Sequence, residues 1–86
     1  MGNAYGFDMA PFETLKEAFL HCYKHYLRDK ENHKIEFSQA DNPYQVKNIS
    51  ARYDRIFNDR LAYMGVIIMK IIKNYPEEDL SWVPDF

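Results

Sequence analysis

Residues 61–72, Leu-Ala-Tyr-Met-Gly-Val-Ile-Ile-Met-Lys-Ile-Ile, read as a helix that is apolar on almost every side, with Lys70 as the one break. A helix that is hydrophobic all round has to be covered all round. A chain of 86 residues has little material for that task. The segment therefore predicts that the chain's own termini, a second copy or a partner protein lies over it. At roughly half the ~20 residues that a membrane-spanning helix requires, it is too short to cross a bilayer.

The rest of the chain reads as one all-α domain, a long antiparallel helical hairpin of two main helices with apolar arms. Residues 1–10 form an N-terminal arm with Tyr5, Phe7 and Met9 as scattered anchors. Helix 1 is expected over 11–31. Pro11 suits a first-turn position, and Phe12, Leu15, Phe19, Cys22, Tyr23 and Tyr26 follow the 3–4 spacing of one face. Asn32 offers a stop, because Asn tolerates the left-handed conformation that closes many helices. Residues 33–42 read as a connecting loop in which Ile35 and Phe37 plug the core. Helix 2 is expected over 43–74. It opens on Asn42-Pro43-Tyr44-Gln45, a capping residue, a proline at the first position and a side chain able to reach back. It closes at Asn74-Tyr75-Pro76, and Gly65 offers a point of kinking. Residues 75–86 form an aromatic tail ending in Trp82-Val83-Pro84-Asp85-Phe86.

With about 20 residues in helix 1 and about 30 in helix 2, the lengths are ~30 Å and ~45 Å. Pro11 then arrives opposite Tyr63, and residues 64–74 overhang. The overhang coincides with the all-round apolar segment. Its outward face, Leu61, Ala62, Gly65, Met69 and Ile72, is the expected surface of a homodimer closing into a small helical bundle. Ala62 and Gly65 would allow another helix to come close.

Chemistry is sparse. Three glycines, at 2, 6 and 65, leave no phosphate-binding loop, and Ser38, Ser50 and Ser81 sit in no nucleophile elbow. The carboxylates form no acid/base pair in an apolar setting. His21 and His25 share a helix face with Cys22 nearby, but a closed zinc site takes four ligands and His33 is the only further histidine. The face is read as solvated, with no metal and no cofactor. One cysteine gives no intrachain disulfide framework and fits a reducing, cytoplasmic setting. No basic region followed by an apolar run suggests a secretory signal.

What remains is binding. The charge of −2 offers no global attraction to nucleic acid or anionic membrane. Lys47, Arg52, Arg55 and Arg60 make the first half of helix 2 locally basic, with Asp54 and Asp59 interleaved. Intrahelical pairs such as Asp59 with Arg55 account for the pattern simply. The alternative is a dimeric nucleic-acid-binding regulator. Arg60 stands inside the apolar stripe and is assigned an interface role. The leading expectation is a non-enzymatic protein-binding module that inhibits or regulates a partner by occupying its surface. The tail reads first as a staple over the apolar segment; in the partner reading Trp82 and Phe86 are the anchors, and Tyr44, Arg52, Arg55 and Arg60 further contacts. In size and character, though not in motif, the chain is similar to phage-like small helical inhibitors: anti-CRISPR proteins, immunity proteins and antitoxins.

Overall fold

The structure is a computed structural model that describes residues 10–85. The helix α1 runs Phe12–Ser38 and α2 runs Pro43–Asn74. They pack against each other as an antiparallel hairpin, and residues 75–85 turn back across its open end. No strand occurs among the described residues. The expected arm residues Tyr5, Phe7 and Met9, and Phe86, lie outside the described residues.

The start of α2 follows from its capping chemistry. Asn42 is extended (φ −153°, ψ 164°) and its side chain accepts from the Gln45 N–H at 3.0 Å. The Gln45 side-chain amide oxygen accepts from the Asp41 N–H at 2.7 Å, one residue earlier than in a standard capping box. The helix continues unbroken through Gly65 to Asn74, and the Tyr75 N–H closes it on the Ile71 carbonyl at 2.7 Å. Pro76 follows. In α1, Pro11 sits one position before the first helical residue, in extended conformation, and its carbonyl accepts from the Leu15 N–H at 3.1 Å.

The end of α1 corrects the sequence reading. The helix does not stop at Asn32 but runs to Ser38, so Ile35 and Phe37 are helical and exposed rather than loop plugs in the core. The reason is visible across the hairpin. Leu15, Phe19, Cys22, Tyr26, Asp29, His33 and Glu36 recur at alternating spacings of four and three, and all are buried or half-buried. Val46, Ser50, Tyr53, Phe57, Arg60, Met64, Ile67 and Ile71 do the same in α2. That is the heptad seam of a coiled-coil hairpin. Toward the turn the seam becomes polar, so apolar periodicity fades while the helix persists. The last turn tightens: the Gln39 N–H is shared between the Ile35 and Glu36 carbonyls (3.2 and 3.1 Å), and the Ser38 hydroxyl donates to the Ile35 carbonyl at 2.7 Å.

The longer α1 also removes the expected overhang. Its 27 residues span about 40 Å, which brings Phe12 beside Tyr75 rather than Pro11 beside Tyr63. The Phe12 and Tyr75 rings are 6.0 Å apart, and the Tyr75 hydroxyl donates to the Ala10 carbonyl at 2.7 Å. Met64, Ile67 and Ile71 are thereby buried with Ala10, Leu15, Phe19 and Cys22 in one cluster at the open end. The molecule measures 50 × 31 × 15 Å. Its radius of gyration, 16.3 Å, exceeds the ~12 Å of a compact chain of this length. One thin seam is the core.

The C-terminal segment covers one flank of that seam. Trp82 meets Phe19 edge-on at 5.5 Å and Phe12 at 6.3 Å, and Lys16 Nζ lies 5.4 Å from its ring centre. The turn before it is held by Asp79, which accepts from the Ser81 hydroxyl (2.8 Å) and N–H (3.0 Å). Those bonds hold the Asp79 carboxyl below its usual range. The indole N–H is buried and meets no acceptor among the described residues. Ring packing outweighs that loss: an unpaired buried donor costs about 1–3 kcal/mol, and a truncated core tryptophan about 3–5. Trp82→Ala is expected to lower stability by about 2–4 kcal/mol, a fall in Tm of on the order of 10 °C or more in a thermal melt followed by circular dichroism. A fall under ~3 °C would show that the tail is no part of the core.

Candidate functional site

Polar contacts hold the turn half of the seam. Arg60 Nε donates to Asp29 Oδ2 at 3.0 Å, with both side chains partly buried. Nearer the turn, Glu36 accepts from the Tyr53 hydroxyl and from Arg52. The Tyr53 hydroxyl is the main reason that the Glu36 carboxyl sits below its usual range, with Arg52 adding to it. The same bond raises the Tyr53 phenol. His33 packs among Tyr53 (5.0 Å), Phe37 (5.6 Å) and Phe57 (5.7 Å). Two residues expected to face a partner, Arg52 and Arg60, therefore have partners within the chain. Trp82, expected as an anchor, is half-buried against α1.

One flank of the hairpin carries a groove of about 780 Å³. Ala18, Cys22 and Ile56 supply small and apolar side chains, and Glu17, His21, His25, Asp59, Arg60 and Tyr63 line it as well. Its chemistry is muted. Cys22 is buried, its thiol pointing to the Arg60 carbonyl at 3.7 Å, and burial pushes its pKa up, away from the reactive thiolate. The His21 and His25 rings lie 4.6 Å apart. Partial desolvation first, then the charges of His21, Arg60 and Arg28, hold His25 below the usual histidine value. His33 lies two turns further along α1, inside its aromatic cluster. Among the described residues no three His, Cys, Asp or Glu are grouped to hold a metal ion.

The outward face of α2 is different. Leu61, Ala62, Gly65, Met69 and Ile72 are all exposed, together with Val66, which the sequence reading did not single out. Met69 is 67% exposed. Two hollows of about 700 and 400 Å³ flank the ridge and share Gly65 and Met69. Their remaining walls are apolar apart from Lys70 and Lys73. A Cβ built on Gly65 meets nothing within 4 Å. Nothing in the described chain thus requires a glycine there, although glycine in a helix interior costs about 1 kcal/mol relative to alanine.

At the turn end, Tyr44 is 80% exposed, and Ile35 and Phe37 are exposed too. The latter pair became visible only once α1 extended past Asn32. Arg55 is exposed and, contrary to the intrahelical pairing expected from sequence, forms no ion pair with Asp59. The pairs among the described residues are Arg52–Glu36 and Arg60–Asp29. No described helix is long and apolar enough to cross a membrane.

Two predictions follow from the polar contacts. Asp29→Ala should cost about 1–3 kcal/mol by leaving Arg60 uncompensated, and Asp29→Leu with Arg60→Leu should cost less than the single change. Urea unfolding of the three proteins checks it. The Glu36 contribution has a definite pH sense. Its lowered pKa stabilises the fold above the ordinary Glu range, about 4.3, and is lost as pH falls through the folded-state value. The Tm of the wild type should exceed that of Glu36→Gln at neutral pH, and the gap should close on acidification. A gap independent of pH would refute the assignment.

No family model matches the chain, and no curated protein or solved structure matches it at a significant level.

Proposed function

We propose that this chain is a non-enzymatic protein-binding module that regulates or inhibits a partner by occupying its surface. The observation that carries the reading is where the apolar side chains stand. The core among the described residues holds eight side chains, whereas ten further large hydrophobics are exposed: Leu20, Leu27, Ile35, Phe37 and Tyr44, then Leu61, Tyr63, Val66, Met69 and Ile72. Scattered exposed hydrophobics are ordinary, but grouped ones mark interaction surfaces. The outward face of α2 is one such group; the turn end also exposes Phe37 and Tyr44, with Ile35, two residues from Phe37 on α1, facing another way. Partner contact is assigned to the turn end, with Tyr44 as anchor and Arg55 as a neighbouring charge. The buried thiol of Cys22 suits a cytoplasmic setting.

The nucleic-acid alternative is weaker on electrostatic grounds. Of Lys47, Arg52 and Arg55, Arg52 is paired with Glu36, which leaves few cations for phosphate contacts.

Affinity capture with the full chain tests the proposal. The wild type should retain a specific protein from its host's extract. Tyr44→Ser with Phe37→Ser should lose it at least about tenfold, with an unchanged circular dichroism spectrum. Equal retention by wild type and variant would refute the turn-end assignment. Steeply salt-dependent DNA or RNA retardation would move the reading to nucleic acid.

A further inference from the structure

We infer that the outward face of α2 is the interface of a two-fold antiparallel homodimer, with the two copies of α2 crossing at Val66. The inference rests on the reading of the chain as an association module, but concerns a different surface from the turn end.

The first ground is shape. In an antiparallel pair related by a two-fold axis, residues equidistant from the crossing point oppose each other. Ala62 lies four residues before Val66 and Met69 three residues after it, so the prominent Met69 of each copy arrives within one residue, ~1.5 Å of axial rise, of the small Ala62 of the other. Gly65, at the crossing, has open space where a side chain would be. It lets the backbones approach, which gives the helix-interior glycine a purpose that the single chain lacks.

The second ground is charge. Asp59 lies seven residues before Val66 and Lys73 seven after it, both within α2. Asp59 of one copy therefore faces Lys73 of the other, twice by symmetry. Both are exposed, and neither has an ion-pair partner among the described residues. At 100° per residue Asp59 and Lys73 lie toward the same edge of the apolar face, as a two-fold pairing demands. Side chains seven residues from the crossing, ~10 Å along the helix, stay within reach at the shallow ~20° crossing typical of helical bundles.

Area sets the strength. A strip from Asp59 to Lys73 is about 21 Å long and 10–12 Å wide, a footprint well below that of a standard interface. The dimer belongs with weak associations, and its dissociation constant should lie in the micromolar range or above.

Sedimentation equilibrium on the full chain from about 10 to 500 µM, spanning that range, tests this. The wild type should approach twice its 10.3 kDa, and Gly65→Glu should stay monomeric with an unchanged circular dichroism spectrum. Asp59→Lys and Lys73→Asp should each weaken the dimer by about tenfold or more. An equimolar mixture of those two variants should restore it, because each supplies the charge that the other now lacks. A wild-type monomer throughout the range would overturn the inference, as would a dimer indifferent to Gly65→Glu or a mixture no tighter than its components. A monomer that still captures a protein through Tyr44 would overturn the dimer and leave the proposed function standing.

Discussion

The hairpin depends on its register, and polar groups hold that register over half its length. Hydrophobic contacts alone would leave two long helices free to slide by a turn at small cost, since one apolar side chain resembles the next. Asp29 with Arg60, and Glu36 with Tyr53 and Arg52, allow no such exchange. A slip of one turn would strand partly buried charges, and such groups cost far more unpaired than their pairing returns. Every other feature follows from that alignment, including the depth at which Met64, Ile67 and Ile71 sit and the meeting of Ala10 with Tyr75.

The two halves of the seam divide their labour. At the open end, Leu15, Phe19, Met64, Ile67 and Ile71 are fully buried and supply hydrophobic stabilisation. A two-helix layer cannot bury these on all sides, and the aromatic tail supplies cover on one flank. The outward side of α2 has no such cover in the described chain. The segment that looked excessive in the sequence is thus partly absorbed and partly left over. Both outcomes come from one helix whose inner and outer faces are each apolar.

How far the sequence disclosed this depends on the kind of signal each element carried. The limits of α2 were legible because Asn42-Pro43 and Asn74-Tyr75-Pro76 act locally and need no knowledge of the fold. The end of α1 was not, because Asp29, His33 and Glu36 look like a solvated stretch until their partners on α2 are known. That error propagated: a helix ended seven residues too early created an overhang that the structure does not contain. The exposed face from Leu61 to Ile72 was legible by helical periodicity, although its width, with Val66 included, was not. Arg52 and Arg60 carried the right residue types for a binding surface, but sequence gives no sign that each is engaged within its own chain; Trp82 read both as a staple over the apolar segment and as a docking anchor, and sequence does not choose between the two.

The arrangement of contacts along the hairpin has a mechanical consequence. Sequence separation across the seam grows from 16 residues between Glu36 and Arg52 to 65 between Ala10 and Tyr75, and the densest packing lies at the far extreme. The first contacts to close on folding are therefore weak and near in sequence. Those that make closure worthwhile come last, which favours all-or-none behaviour over gradual zipping. Tension applied between the two ends of the chain would meet that packing first. The hairpin should yield abruptly under load, since the polar turn half offers little resistance once the clasp at its mouth has opened.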